Sequence, residues 1–114
     1  VLVKHWAAEG MEDFCRRVML QSPDATLREE AKVALGRYAY MRYDYPEAER
    51  LCREALSALW GSGARGELAA CINLAMVCLL GRRYFEALVL ARRGVELANA
   101  SGIGERSATA SRRR

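Results

Sequence analysis

The sequence has little that would favour strands, and it has no apolar run long enough for a membrane. Only two prolines and few β-branched residues occur among its 114 residues, whereas alanine, leucine and arginine are abundant. This composition favours helices over strands. The longest apolar run, 74–80, is far shorter than the roughly 20 residues that a membrane-spanning helix needs. We therefore expect an all-α protein with no membrane contact.

Residues suited to catalysis or to cofactor binding are also scarce. His5 is the only histidine, and the serines lie in predicted loops and caps, so no serine–histidine–carboxylate set can be identified. The glycine-rich stretch 61–66 lacks the Gly-Lys-Ser ending of a phosphate-binding loop, and no predicted strand precedes it. We expect a protein without enzymatic activity and without a cofactor.

The four cysteines lack the Cys-x-x-Cys spacing that is typical of metal sites and redox motifs. Cys71 and Cys78 lie seven residues apart, which places them on one helical face. Cys15 and Cys52 occupy equivalent positions of the repeat described below. Small apolar side chains belong at such positions, and a free thiol packs well there. We expect four reduced core cysteines in a cytoplasmic protein that binds no metal and needs no disulfide.

The positive charge is concentrated at the end of the chain. The net charge is +4, but Arg112, Arg113 and Arg114 contribute three of these charges, and residues 1–104 carry 14 basic and 13 acidic side chains. A protein that binds nucleic acid normally has a basic stripe on its folded part. The arginine–tyrosine alternation of 37–45 could stack bases, but helical spacing divides its tyrosines between two faces. A nucleic-acid-binding helical array is therefore the alternative function, not the main one.

Three six-residue segments resemble one another at offsets of 37 and 39 residues, namely 14–19, 51–56 and 90–95. Each reads apolar, small, charged, charged, small, apolar, so the same helical face recurs. Self-similarity with a period of roughly 20–50 residues is typical of a solenoid of stacked helix pairs. Such a stack usually holds a partner and does not itself catalyse a reaction.

Helical periodicity, caps and glycines predict five helices joined by short loops, so that successive helices are antiparallel. The predicted helices span about 6–20, 26–42, 44–60, 66–80 and 84–98. Gly10 is expected to divide the first helix from an earlier segment. Thr26 and Glu29 form a predicted capping box for the second helix, and Asp44 is the predicted cap of the third. Leu27 is expected to face inward.

The second and third predicted helices contain residues that resemble the tetratricopeptide repeat. The pattern is a Leu-Gly or Leu-Ala pair in the first helix and an aromatic residue three positions before an alanine in the second. It occurs twice, as Leu35, Gly36, Tyr45 and Ala48, and as Leu74, Ala75, Tyr84 and Ala87. The small residues of this pattern allow helices to approach closely, so we expect Gly36, Ala48, Ala75 and Ala87 to be buried.

This resemblance implies a superhelix of antiparallel helix pairs over residues 1–104, with 105–114 as the start of a further helix or a disordered basic tail. The repeat of 37–39 residues is longer than the roughly 34 residues usual in the family. It resembles the longer helical arrays of large bacterial transcription regulators and signalling ATPases.

The resemblance also implies that the first helix of each pair lines a groove for a protein or peptide, including other domains of a parent chain. By position, the groove residues are Arg37, Tyr40, Met41, Asn73 and Met76. Some relatives grip a peptide's terminal carboxylate with lysines and asparagines, but this sequence has Val33 and Ile72 at lysine positions and Met76 at an asparagine position. We therefore expect a mostly apolar groove with one arginine, suited to an amphipathic helix. The alternative is that Met76, Leu79 and Leu80 pack inside the array.

Both ends of the chain resemble unfinished repeats. Residues 1–3 have no feature of a signal peptide, and 101–105 repeats the Ser-Gly and Gly-Glu pairs of 62–67. We interpret the chain as a fragment of a longer cytoplasmic scaffold for protein–protein interaction. Trp6, Phe14 and the apolar side of the fifth helix are expected to form exposed patches, with weak end-to-end self-association as the consequence.

Overall fold

Five helices make up the part of the chain that the structure describes. A computed structural model describes the backbone of residues 2–101 and the side chains of residues 10–101. The helices are α1 (Leu2–Gln21), α2 (Ala25–Met41), α3 (Tyr45–Leu59), α4 (Arg65–Leu80) and α5 (Tyr84–Ala100). No strand occurs within 2–101, so the prediction of an all-α protein with five helices is confirmed. The predicted further helix or tail at 105–114 lies outside the described residues.

Each helix packs against its neighbours in sequence, and α2 also contacts α4. The connections are three to five residues long, which forces each helix to return antiparallel to the one before it. Since α2 and α4 are separated by one helix, they run in the same direction, side by side. Over the described residues, none of the helices combines the length and the apolar character needed to cross a membrane.

The core lies between the helix pairs and consists mainly of small and aliphatic side chains. The four small residues expected at helix crossings are all buried: Gly36, Ala48, Ala75 and Ala87. At Gly36 a Cβ atom would lie 2.8 Å from Sγ of Cys52 and 3.4 Å from the carbonyl oxygen of Ala48. With Cys52 in place, the close approach of α2 and α3 therefore leaves no room for a side chain at position 36.

α2 begins earlier than predicted because Asp24 is its N-cap. The carboxylate of Asp24 accepts a hydrogen bond from the N–H of Leu27 at 3.2 Å. The capping box predicted between Thr26 and Glu29 is wrong, since both residues already lie inside the helix. The predicted cap of α3 is confirmed, because the carboxylate of Asp44 accepts an N–H from the first turn of that helix at 3.4 Å.

The same turn joins the two helices of each pair. Tyr43, after α2, and Arg82, after α4, both have left-handed backbones, with φ of 65° and 60°. The N–H of Asp44 donates a hydrogen bond to the carbonyl oxygen of Ala39 at 2.9 Å, and the N–H of Arg83 donates one to that of Cys78 at 2.8 Å. The two turns are 39 residues apart, which equals the offset between the sequence segments of the two pairs.

Three predictions for α1 and α2 are wrong. α1 is continuous through Gly10, because a single glycine costs a helix only about 1 kcal/mol. Leu27 is exposed, since it lies in the first turn of α2 where the bundle ends. Cys15 is only partly buried, because α2 is the only helix of the described part that α1 contacts, whereas the other three cysteines are buried.

Apolar side chains are exposed on both outer helices. Phe14 of α1 is 52 % exposed, and α5 exposes Phe85, Leu88 and Val95. These are the patches expected at the two ends of the stack. The side chain of Trp6, which was expected to contribute to the first patch, lies outside the described side chains.

Candidate functional site

A groove runs between α2 and α4, where the two helices lie side by side. Its volume is about 620 Å³. It is lined by Glu30, Val33, Ala34, Arg37, Tyr38 and Met41 of α2 and by Arg65, Gly66, Ala69, Ile72 and Asn73 of α4. Most of these residues are apolar, and three of them are charged.

The groove begins where Glu30 of α2 packs against Gly66 of α4. A Cβ atom at Gly66 would lie 2.9 Å from Cγ of Glu30, so the absence of a side chain there lets the two helices meet. Because α2 and α4 run in the same direction, the residues seven positions further on, Arg37 and Asn73, also lie at one level. The two levels are about 10 Å apart along the helices.

Three of the five groove residues expected from the sequence line this groove, namely Arg37, Met41 and Asn73. Tyr40 does not line it, because its ring lies 5.6 Å from the ring of Tyr45, beside the start of α3. Met76 lies about one turn beyond Asn73 on α4, outside the groove lining. The structure therefore brings together three of the five residues and places the other two elsewhere.

An exposed apolar stripe continues from the groove along α4. Ile72, Met76 and Leu79 follow one another at intervals of four and three residues, which places them on one face. Their side chains are 49 %, 41 % and 51 % exposed, and Leu80 beside them is 54 % exposed. The alternative that Met76, Leu79 and Leu80 pack inside the array is therefore wrong for the described part of the chain.

Arg65 is a groove residue that the sequence prediction missed. The prediction places residue 65 in a loop, whereas α4 begins at Arg65. The available signal was Gly66, whose small size marks a close approach of two helices, but only the structure shows that the approaching helix is α2. Val33, assigned to the groove by position, forms part of its buried floor.

The two arginines of the groove form no salt bridge with any side chain that the structure describes. Within residues 10–101, neither Arg37 nor Arg65 lies within 4.0 Å of a carboxylate oxygen, in contrast to Arg83 and Arg93. Glu30 also has no cationic partner in this range. The groove therefore has a net positive charge and two guanidinium groups that are available to a partner.

Ion pairs link α3 to the start of α5, two helices that do not line the groove. Nη1 and Nη2 of Arg83 lie 2.8 Å and 2.7 Å from the two carboxylate oxygens of Glu49. Arg53 bonds Glu49 at 2.8 Å and Glu86 at 2.9 Å. The hydrogen bonds from Arg83, and then those from Arg53, lower the pKa of Glu49 to about 2. These ion pairs hold together α3, which packs against both α2 and α4, and α5, which packs against α4.

The cysteines contribute packing and no reactive thiolate. Burial raises the pKa of Cys52, Cys71 and Cys78 to about 11, so these thiols are protonated near neutral pH. All four cysteines are free. Among the described residues, no three histidine, cysteine or acidic side chains are grouped so that they could hold a metal ion.

Comparison of the chain with models of known protein families, with curated proteins and with solved structures gives no match in any of the three. The resemblance to the tetratricopeptide repeat therefore depends on the residues of this sequence alone.

Proposed function

We propose that this chain is a non-catalytic scaffold for protein–protein interaction, a tetratricopeptide-like array from a larger cytoplasmic regulator of bacterial type. Its binding surface is the groove between α2 and α4, which takes a segment of another protein or of another domain of the same parent chain. The observation that carries this proposal is the groove itself, a mostly apolar channel between two parallel helices, lined by Arg37 and Arg65, which have no carboxylate partner within residues 10–101.

The stripe formed by Ile72, Met76 and Leu79 supports the same function. It extends the apolar surface beyond the groove, so that one face of α4 is apolar along most of its length. Folded proteins rarely leave a contiguous apolar surface of this kind uncovered unless it binds something. A partner that lies in the groove would also cover the stripe.

A display selection tests this proposal. A library of helix-forming segments of about 14 residues, the length of the groove and the stripe together, is selected against the purified protein. The binders are then measured on the wild-type protein, on Ile72→Glu and on Val95→Glu. Both substitutions add one carboxylate at an exposed position, with side chains that are 49 % and 60 % exposed in the wild type. Melting temperatures check that both variants remain folded.

Ile72 lines the groove, whereas Val95 lies on the outer face of α5. We expect binding to be lost in Ile72→Glu and retained in Val95→Glu. Failure to select any binder, or equal binding by the two variants, would contradict the groove as the binding surface. Loss of binding in Val95→Glu alone would assign the interaction to α5 instead.

A further inference from the structure

The charges of the groove define what kind of segment it can hold. Arg37 and Arg65 have no ion pair within residues 10–101, and a guanidinium group binds a carboxylate in a two-pronged geometry. Glu30 packs against Gly66, the residue next to Arg65, and offsets one of the two positive charges, so that the groove lining carries only a small net positive charge. This arrangement suits separate carboxylates and disfavours a continuous phosphate backbone.

Along the direction of the helix axes, the two arginines lie about two turns of helix apart. Arg65 directly precedes Gly66, which contacts Glu30, and Arg37 lies seven residues after Glu30. A rise of about 1.5 Å per residue separates the two levels by about 10–12 Å. Acidic side chains at positions i and i+7 of a partner helix are about 10 Å apart and lie on one face.

The apolar surface has the length and the spacing that a helix requires. Ala69 and Ile72 lie between the two arginine levels, and the stripe continues through Met76 and Leu79. The distance from Arg65 to Leu79 is about 21 Å, which corresponds to about 14 residues of helix. Side chains at intervals of three and four residues form a ridge that fits between the side chains of another helix.

On the basis of the proposed function, we infer that the segment bound here is an acidic amphipathic helix of about 14 residues. Two acidic side chains, seven positions apart, face Arg65 and Arg37. Apolar side chains at the intervening i+3 and i+4 positions contact Ala69 and Ile72, and those of the last turn contact Met76 and Leu79.

Three matched synthetic peptides test this inference. Each is a capped, helix-forming peptide of about 14 residues with leucines on one face. They differ only in the two positions seven residues apart, which carry glutamate, glutamine or lysine. Binding is measured by fluorescence polarisation with the wild-type protein, Arg37→Gln, Arg65→Gln and the double variant. Arg92→Gln is the control, because Arg92 is an exposed arginine on the outer face of α5.

We expect the glutamate peptide to bind the wild-type protein about tenfold more tightly than the glutamine peptide, and the lysine peptide to bind most weakly. Each single variant should reduce the tenfold preference to about threefold, and the double variant should abolish it. Arg92→Gln should retain the full preference. Circular dichroism should show that the glutamate peptide gains helix when it binds.

Several outcomes would overturn the inference. If the glutamate and glutamine peptides bind equally well and neither binds Ile72→Glu, the groove remains the binding surface, but its partner does not need acidic side chains. Tightest binding of the lysine peptide, or binding of none of the three, would exclude the acidic helix. Tighter binding of a single-stranded oligonucleotide, with a steep salt dependence that both arginine variants reduce, would assign the groove to nucleic acid. The display selection tests the groove independently of partner charge, so the two failures are distinguishable.

Discussion

Arg93 of α5 donates a hydrogen bond from Nε to Oε2 of Glu67 at 2.8 Å, and the side chain of Glu67 is completely buried. The same carboxylate accepts the backbone N–H groups of Gly61 and Gly63 at 3.1 Å and 3.0 Å. Arg93 also lies over the ring of Trp60, 5.3 Å from its centroid. One carboxylate thus joins α5, the first turn of α4 and the α3–α4 loop.

The buried carboxylate of Glu67 should be much more important for stability than an exposed one. Burial alone would raise the pKa of Glu67, but the hydrogen bonds from Arg93 and from the two glycines outweigh it and lower the pKa. Glu67→Gln leaves buried donors without a charged acceptor, so we expect it to destabilise the protein by about 2–3 kcal/mol. Urea unfolding measures the difference.

Glu96→Gln is the matched control for this experiment. Glu96 also pairs with Arg93, at 3.4 Å, but its side chain is 68 % exposed. We expect its substitution to change the free energy of unfolding by less than about 0.5 kcal/mol. Similar effects of the two substitutions would contradict the role assigned to burial.

The contact between Gly36 and Cys52 predicts a specific rescue. Gly36→Ala would place Cβ 2.8 Å from Sγ of Cys52, so we expect a loss of about 1–3 kcal/mol despite the higher helix propensity of alanine. In a Cys52→Ala background the sulfur is absent, and the cost of Gly36→Ala should largely disappear. Gly10→Ala, where no described atom lies within 4 Å of the added Cβ, should instead stabilise by up to about 1 kcal/mol. If Gly36→Ala lowers the free energy of unfolding equally in the wild-type and Cys52→Ala backgrounds, the contact between Gly36 and Cys52 is contradicted.

The left-handed backbone at Arg82 predicts a stabilising substitution. Its φ of 60° strains any residue with a Cβ atom, so Arg82→Gly should raise the free energy of unfolding by about 0.5–1 kcal/mol. The same change at Arg92, in the middle of α5, should lower it by about 1 kcal/mol. Thermal and urea unfolding of both variants test whether their changes in the free energy of unfolding have opposite signs.

The pairing of Glu49 with Arg83 predicts a dependence of stability on acid. The pKa of Glu49 falls from 4.5 to about 2 on folding, so its contribution is fully present above about pH 4.5 and is lost as the pH falls through 2. Glu49→Gln should flatten the dependence of stability on pH between these values. Arg83→Gln should flatten it partly, because Arg53 still bonds Glu49, and it should change the profile little when added to Glu49→Gln. An unchanged pH profile in both single variants would contradict the pairing.

The exposed face of α5 predicts weak self-association. Phe85, Leu88 and Val95 are exposed on this helix, and an apolar face of this kind favours contact between copies. Sedimentation should show a weight-average mass that rises with concentration, and Val95→Glu should reduce the rise. Ser57→Glu, which adds the same charge at an exposed position of α3, should leave it unchanged. A wild-type protein that stays monomeric at high concentration would contradict this prediction.

Local features of the sequence were sufficient to predict the helices and several of the small residues at their crossings. The number of helices follows from apolar periodicity and from short breaks at residues such as Pro23 and Gly81, because these are properties of neighbouring residues. The burial of Gly36 and Ala48 follows from their size within a repeated pattern. The wrong predictions at Gly10 and Thr26 also have local causes, because a single glycine does not interrupt α1 and because Asp24, two residues before Thr26, caps α2.

By itself, the sequence determined that this protein is helical, that two of its helical segments recur after 39 residues and where several small residues let helices meet. Each of these depends on residues close together in the chain. Only the tertiary structure decided that Arg65 and Arg37 line the same groove. It also decided that the ring of Tyr40 lies beside that of Tyr45 and that buried Glu67 bonds Arg93. Each of these contacts depends on which helices are adjacent and at what level they meet. That adjacency is set by the packing of the whole core, which no short segment of the sequence specifies.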